Sequence, residues 1–191
     1  MINKVGTKYM SYGNNMKHTF TFKLLGNLNS ALLEQFKTFV ITQEYQTTND
    51  FVEYAITIRN IKSYEDIFKN FVNLEMSKYF KPEGHVGSNI ARMEPNSYVS
   101  EHSDYTANTY GKMQDSIVKF QIPIITNSGA GMMWRHDKEN RSEAVSFIEG
   151  GIYAIDNCRI HSSVNFSQER RYWLTTRWNI DSIIDKSILN N

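Results

Sequence analysis

The hydrophobic pattern at the start of the chain predicts a strand followed by an amphipathic helix. Residues His18–Leu25 alternate polar and apolar side chains, which predicts a strand, and Gly26-Asn27 predicts a turn after it. Apolar side chains then recur at helical spacing, and Asn29 or Ser30 is the predicted N-cap of a helix that begins at Ala31.

The next stretch repeats this order of strand and helix. Phe51–Ile58 predicts a strand, although its alternation is imperfect. Ser63 and Asp66 have the spacing of a capping box with Asp in the acidic position, so they predict the start of a second helix. This helix ends before Pro82, and its apolar face consists of Ile67, Phe68, Phe71, Val72, Leu74 and Met76.

From about Val86 the pattern changes to short apolar runs separated by turn residues. The runs are Asn89–Met93, Tyr98–Ser100, Ile117–Ile125, Gly131–Trp134, Ala144–Phe147, Gly151–Ile155, His161–Asn165 and Arg171–Trp178. Eight short strands after two helices predict a mainly β fold, an antiparallel sandwich or barrel with helices against one face. We expect one domain over residues 1–191, in which residues 1–85 support a β core formed by residues 86–180. We expect the three tryptophans to pack within this core.

Composition and charge exclude several classes of function. The 191 residues include 21 Lys and Arg against 20 Asp and Glu, so no net charge attracts nucleic acid or an anionic membrane. The single cysteine, Cys158, excludes an intramolecular disulfide and a cysteine-based zinc cluster. The segment MINKVGTKYM lacks the apolar core of a signal peptide, and no apolar run approaches the ~20 residues of a membrane span. We therefore expect a cytoplasmic protein without nucleic-acid or membrane partners, whose oligomeric state the sequence leaves open.

The segment SYVSEHSDY, residues 97–105, contains His102 and Asp104 directly after a predicted strand. In an extended chain the side chains at positions i and i+2 project from the same face, so this imidazole and this carboxylate lie side by side. A second histidine would complete the 2-His-1-carboxylate triad that is typical of non-heme Fe(II) oxygenases. The pair by itself is equally compatible with two polar residues at a surface turn.

His161 is the histidine whose surroundings fit a third metal ligand. It begins a predicted strand after the apolar run Gly151–Ile155, and Ser167-Gln168-Glu169 predicts a polar turn before Arg171. A hairpin centred on Phe166 would place His161 opposite Arg171 on one face. A guanidinium can grip a carboxylate with two hydrogen bonds, so a metal and Arg171 together suit a dicarboxylic 2-oxo acid.

Taken in order, these residues resemble the HxD…H…R pattern of Fe(II)/2-oxoglutarate-dependent dioxygenases. The likeness is greatest to the aspartyl/asparaginyl β-hydroxylase group and the related bacterial proline hydroxylases, and it extends from about Ala91 to Trp178. Further blocks similar to this group are Arg92-Met93-Glu94-Pro95-Asn96, Ile122-Pro123-Ile124-Ile125-Thr126-Asn127, and Asp156-Asn157 with Val164-Asn165 and Ser167.

The resemblance implies a double-stranded β-helix in which His102, Asp104 and His161 hold Fe(II) and Arg171 binds 2-oxoglutarate. With O2, members of this group convert 2-oxoglutarate into succinate and CO2 and hydroxylate an unactivated C–H bond. Arg170 is then interpreted as solvated, because strand alternation gives it the opposite face from Arg171.

The chain departs from the family pattern at four positions. Many relatives carry an Arg-x-His pair before the proline strand, where this chain has Lys119 and Gln121. We expect both side chains to contact the cosubstrate, with different geometry. A serine that helps to hold the far carboxylate is replaced by Ala91, so that hydrogen bond must come from elsewhere or be absent. Asn96 replaces a glycine at little cost, since Asn tolerates left-handed turns.

Substrate contacts are less well determined than the metal site. The candidates are Tyr98, Tyr105, Arg135 and Arg159, and either arginine would suit a substrate carboxylate. The polar, glycine-containing segment Thr106–Asp115 is the predicted lid. These features favour hydroxylation of an amino-acid side chain, free or within a peptide.

Three alternatives remain from the sequence. The enzyme could tailor another small metabolite. The chain could also be a non-catalytic, cupin-like sensor that binds metal and 2-oxoglutarate without turnover. A structural β-sandwich, the third alternative, would bind neither.

Overall fold

The computed structural model describes residues 22–47, 56–102, 117–136, 141–156 and 159–189. Several predicted features lie outside these ranges: residues 18–21 and 51–55 of the predicted strands, the candidate ligand Asp104, the candidate substrate residue Tyr105, Cys158, and the predicted lid, 106–115.

The described residues form two α-helices and eleven strands, with short 3₁₀ turns near the helices and the C-terminus. The helices are α1 (Ser30–Thr42) and α2 (Asp66–Leu74). The strands are β1 (Phe22–Asn27), β2 (Gln46–Thr47), β3 (Ile56–Ile61), β4 (His85–Met93), β5 (Ser97–His102), β6 (Ile117–Ile125), β7 (Ala130–His136), β8 (Arg141–Val145), β9 (Gly151–Ile155), β10 (His161–Asn165) and β11 (Arg171–Asn179).

The strands form two antiparallel sheets. The major sheet has the order β1-β9-β6-β11-β4-β3-β2, and the minor sheet has the order β5-β10-β7-β8. From β4 onward, consecutive strands alternate between the two sheets, as in a jelly roll, except that β7 and β8 form a hairpin within the minor sheet. The architecture is therefore mainly β with N-terminal helices, and the predicted double-stranded β-helix fold is confirmed.

Both helices pack on the outer face of the major sheet. Phe36 of α1 and Phe71 of α2 are fully buried and meet edge to face, with 6.0 Å between their ring centroids. Alternate residues of β6, such as Phe120 and Ile122, complete this core. Burial of each such side chain contributes about 1.5–3 kcal/mol, so the core anchors the sheet that carries the inner face. Among the described residues, no helix is long and apolar enough to cross a membrane.

The two faces of β11 show how the inner face is defined. Leu174 and Trp178 belong to the core beneath the helices. Trp173, on the other face, packs against Val99 of the minor sheet. Because side chains alternate along a strand, every second residue from Arg171 onward projects into the space between the sheets.

Local signals predicted most of these elements. Strands β6, β9 and β10 begin and end where the apolar runs placed them, and the others differ by a few residues at their ends. The prediction for α1 is also confirmed: the Asn29 side chain accepts hydrogen bonds from the amides of Ala31 and Leu32 at 3.0 and 3.4 Å. Asn96 has the left-handed conformation expected of it, with φ of 51°.

Two local predictions in the N-terminal part were wrong. Gly26-Asn27 is not a turn, because both residues pair with β9 at the end of β1. The capping box at Ser63 does not form either, since α2 begins at Asp66 and its N-cap, Glu65, makes no side-chain cap. The Glu65 carboxylate instead pairs with Arg59 of β3 at 2.8 Å.

The predicted hairpin between the strands of His161 and Arg171 was also wrong. Strand β10 pairs with β5 and β7, whereas β11 pairs with β4 and β6. The two strands therefore belong to opposite sheets. The connection through Phe166 crosses between the sheets, so the two residues lie on opposite walls of the interior and are not cross-strand partners.

Candidate metal and cosubstrate site

His102 and His161 meet at one end of the minor sheet. They are cross-strand partners, and their ring centroids lie 4.4 Å apart. Ser163 pairs with Val99, so β5 has one more residue than β10 between the two pairs. This β-bulge turns His102 to the face of Val99, where strict alternation would have placed residue 101.

Hydrogen bonds to the main chain select the nitrogen that each ring presents. Nδ1 of His102 lies 2.8 Å from the carbonyl oxygen of Ser100, and Nδ1 of His161 lies 2.8 Å from that of Arg159. A carbonyl oxygen only accepts, so Nδ1 carries the proton in both rings. In the neutral ring Nε2 then carries the lone pair, which is the form that a metal binds.

The described residues contribute two of the three predicted metal ligands. No group of three His, Cys, Asp or Glu side chains that could hold a metal occurs within them. Asp104 lies two residues beyond His102 and outside the described ranges. The distance between the two imidazoles is compatible with a shared metal, whose bonds to nitrogen are about 2.0–2.1 Å on the zinc scale.

Asp156 and the side chains that are hydrogen-bonded to it support the position of His161. Its fully buried carboxylate accepts a hydrogen bond from Nε of Arg159 at 2.7 Å, and its main-chain oxygen accepts one from Nε1 of Trp134 at 3.0 Å. Arg159 in turn supplies the carbonyl that fixes the His161 ring, while Trp134 is the cross-strand partner of His161. The orientation of this histidine thus depends on a buried ion pair.

Arg171 lies at the other end of the interior with its guanidinium fully buried. Nη1 donates to the carbonyl oxygen of Gly131 in the minor sheet at 3.1 Å, and the guanidinium lies 4.8 Å from the Trp173 ring centroid. Nε and Nη2, which form one edge of the guanidinium, have no hydrogen-bond partner among the described residues. Burial lowers the pKa of Arg171 to about 10, so it remains a cation at neutral pH. Two parallel, unsatisfied donors on a buried cation match the two oxygens of a carboxylate.

The distance between the histidine pair and Arg171 suits a short diacid. Gly131, which Arg171 contacts, lies three residues along β7 from Trp134, the partner of His161. Three residues of strand span about 10 Å. A five-carbon diacid spans about 5 Å, from four C–C bonds of ~1.5 Å. A metal bond of about 2 Å and a hydrogen bond of about 3 Å account for most of the remainder.

Lys119 and Gln121 project inward from β6, because the intervening Phe120 belongs to the core beneath the helices. Gln121 is buried, and its Oε1 has no hydrogen-bond partner among the described residues. A flip of the amide exchanges oxygen and nitrogen, so Gln121 can offer a ligand either an acceptor or a donor. Ala91 also lies on the inner face, beside Trp173, and its methyl group has no polar atom to offer.

The three candidate substrate residues that the structure describes, Tyr98, Arg135 and Arg159, are not free to bind a substrate anion at this site. Tyr98 is 60% exposed on the outer face of the minor sheet, opposite to the face of Val99, so it does not line the interior. Arg135 is hydrogen-bonded to the carboxylate of Glu101. Arg159 is paired with buried Asp156. Both arginines are thus already neutralised by a carboxylate, which makes either one a poor receptor for a substrate anion.

Two further polar residues support the site. Asn165 is fully buried, and its Nδ2 donates to the main-chain oxygens of Glu94 at 3.0 Å and Glu169 at 2.8 Å. These bonds join the β4–β5 corner to the segment that leads into β11. The ion pair between Asp156 and Arg159 is the second support, and sequence reasoning missed it. The available signal was an acidic and a basic residue three positions apart just before the strand of His161.

Comparison with known proteins yields structural likeness without sequence likeness. No protein-family model and no curated protein sequence matches the chain. A 2OG-Fe(II) oxygenase family oxidoreductase from Burkholderia pseudomallei superposes with a TM-score of 0.63 at 11% identity, over 85% of this chain and 86% of that one. HygX from Streptomyces hygroscopicus, with nickel and 2-oxoglutarate bound, gives 0.62 at 9% identity, over 83% and 82%. A prolyl-4-hydroxylase from Pseudomonas putida gives 0.61 at 12% identity, over 85% and 92%.

These likenesses establish the fold. The chain has the double-stranded β-helix of the 2OG-Fe(II) oxygenases, and the match covers most of this chain and of each of the three proteins. At such low identity the activity has to be argued from the residues of this chain.

Proposed function

We propose that this protein is an Fe(II)- and 2-oxoglutarate-dependent hydroxylase that acts on an amino-acid side chain, free or within a peptide. The observation that carries the proposal is the buried edge of Arg171, where Nε and Nη2 have no partner among the described residues. A buried cation with unsatisfied donors is costly, so a fold retains one where a ligand satisfies it. The far carboxylate of 2-oxoglutarate supplies the charge and the two oxygens.

The neighbouring arginine supports this assignment by contrast. Arg170 is 53% exposed, and its Nε donates to the Glu94 carboxylate at 2.9 Å. It has both solvent and a carboxylate partner, whereas Arg171 is fully buried and has no carboxylate partner in the described part of the chain. The anion site therefore belongs to Arg171, on the face directed between the sheets.

His102 and His161 would hold the metal through Nε2, with Asp104 as the third ligand. When bound, Fe(II) and 2-oxoglutarate supply the oxidation that uses O2 to place one oxygen atom in a C–H bond and the other in succinate, with loss of CO2. Lys119 and Gln121 would contact the carboxylate of 2-oxoglutarate nearest the metal. Arg171 is fully buried, and the low dielectric of a buried site strengthens the attraction between its guanidinium and an anion.

A second candidate function is the oxygenation of another small metabolite. The likeness to HygX favours it, because HygX has also been solved with hygromycin B bound. A non-catalytic sensor, the third alternative, would bind metal and 2-oxoglutarate but release no succinate.

Anaerobic titration with Fe(II) and 2-oxoglutarate tests the proposal. Purified protein is expected to develop the visible charge-transfer absorption of an iron-bound 2-oxo acid. Arg171→Gln should need far more 2-oxoglutarate, and His161→Ala should give no band. Arg170→Gln is the matched control, since it removes the same charge one residue away and should behave as wild type.

Admission of oxygen separates the enzyme from the sensor. The enzyme is expected to form succinate slowly without added substrate, and a sensor forms none. Absence of the band in folded, iron-loaded protein would overturn the proposal, and so would equal loss in Arg170→Gln and Arg171→Gln.

A further inference from the structure

Arg177 is a second arginine on the inner face of β11. It follows Arg171, Trp173 and Thr175 at intervals of two residues, while the alternate residue Trp178 is buried beneath the helices. Arg177 is partly buried, and it lies at the opposite end of the strand from Arg171.

Strand register places Arg177 at the end of the interior that holds the histidines. Arg177 pairs with Lys119 of β6, and Lys119 pairs with Ile155 of β9. Ile155 packs in one cluster with Trp134, which is the cross-strand partner of His161. The Arg177 side chain is therefore at the histidine end of the interior, away from the Arg171 anion site.

The positive charge of Arg177 is held by a neutral group. Its Nη1 donates to Oδ1 of Asn89 on β4 at 3.2 Å. Within the part of the chain that the structure describes, no carboxylate lies within ion-pair distance of Arg177. Five other arginines do have a carboxylate partner, namely Arg59, Arg92, Arg135, Arg159 and Arg170.

This arrangement is suited to an anion that arrives from outside. Asn89 fixes one nitrogen of the guanidinium but brings no negative charge, and no carboxylate of the described residues compensates the charge of Arg177. A guanidinium binds a carboxylate with two charged hydrogen bonds, which are stronger than neutral ones.

We propose that Arg177, held by Asn89, binds a carboxylate of the substrate, so that the substrate is a carboxylic acid of amino-acid size. The inference rests on the proposed function and makes its substrate class more specific. It replaces Arg135 and Arg159 in this role, because each of those is already paired with a carboxylate.

Binding of free amino acids and their amides tests the inference. The twenty standard L-amino acids and the corresponding carboxamides are titrated into protein that holds Ni(II) and 2-oxoglutarate, and the heat of binding is measured. At least one acid is expected to bind about ten-fold or more tightly than its amide, because the amide lacks the charge. Arg177→Gln should bind that acid as weakly as wild type binds the amide, whereas Arg177→Lys should recover part of the difference.

Arg170→Gln is the control for a non-specific loss of charge and should keep the preference for the acid. Equal binding of acid and amide to wild type would overturn the inference, as would an Arg177→Gln protein that keeps the preference. Binding of none of the acids would overturn it as well. Binding of 2-oxoglutarate is measured first on each protein. A protein that does not bind 2-oxoglutarate contradicts the proposed function, whereas a protein that binds it but does not distinguish acid from amide contradicts only this inference.

Discussion

Replacement of Arg171 by methionine should remove 2-oxoglutarate binding while leaving the ligand-free protein at least as stable as wild type. The guanidinium is fully buried, with one hydrogen bond to Gly131 and two unsatisfied nitrogens. An arginine kept for the fold would have its donors satisfied by the protein. The Nε and Nη2 donors of Arg171 have no partner among the described residues and are expected to bind a ligand, so the ligand-free protein should be destabilised by them.

The structure sets the size of the effect. The pKa of Arg171 falls from 12.5 to about 10 through burial, which corresponds to about 3 kcal/mol against the charged form. The hydrogen bond to Gly131 offsets about 1 kcal/mol of this. The contact with the Trp173 ring offsets about another 1 kcal/mol. Methionine fills similar space without charge, so Arg171→Met should raise the free energy of unfolding by about 1 kcal/mol or leave it unchanged.

Chemical denaturation followed by tryptophan fluorescence, with and without Ni(II) and 2-oxoglutarate, measures both effects. Ligand at 100 times its dissociation constant should stabilise wild type by about 2.7 kcal/mol and Arg171→Met by nothing. In thermal unfolding the wild-type gain corresponds to a rise in Tm of about 5–10 °C. Arg170→Met serves as the control and should keep the ligand-dependent gain.

The reasoning would be refuted by a large loss of stability in the ligand-free variant. If Arg171→Met lost about 3 kcal/mol or more, the arginine would be a structural residue. Its unsatisfied donors would then need an explanation other than a carboxylate ligand.

Three further predictions concern residues around the site and the core. Asp156→Asn should weaken Ni(II) binding by about 10–100-fold, measured by calorimetry, because His161 loses its support. Glu65→Gln is the control: it breaks the ion pair with Arg59 of β3, far from the site, and should leave Ni(II) binding unchanged. Asn165→Ala should lower the free energy of unfolding by about 2–4 kcal/mol, because two main-chain oxygens lose their donor, and a loss below about 1 kcal/mol in urea denaturation would contradict this. Burial lowers the pKa of His85 below its usual value of 6.5. As the pH falls, His85 is therefore protonated in the unfolded chain before it is protonated in the folded protein, so the free energy of unfolding should fall below about pH 6.5. His85→Gln should flatten that fall in urea denaturation between about pH 7 and pH 5, and an unchanged slope would contradict the assignment.

Strand positions could be predicted from the sequence where the signal is local. The run Ile117–Ile125 alternates side chains between two buried faces, and its bounds follow from the polar residues that flank it. The N-cap of α1 could be predicted because Asn29 bonds to amides two and three residues away. The cap of α2 could not, because Glu65 is held by Arg59 of another strand.

Pairing between strands could not be predicted from the sequence. A short polar turn between His161 and Arg171 is compatible with a hairpin and with a connection between two sheets. The choice between the two depends on the strands with which each segment pairs. These partners are β5 and β7 for β10, and β4 and β6 for β11, and they lie far away in the sequence. The bulge that turns His102 inward is likewise visible only in the register between β5 and β10.

The sequence by itself determined the fold class, the positions of most strands and the residue types of the candidate site. Alternation, turn residues and the order of His102, His161 and Arg171 are properties of the chain alone. Only the tertiary structure decided the surroundings of each charged side chain. Arg171 is buried with two unsatisfied donors, Arg159 is neutralised by Asp156, and these differences separate arginines that are alike in sequence. Burial and pairing depend on which distant strands come into contact, and the free energy of a charge depends on both.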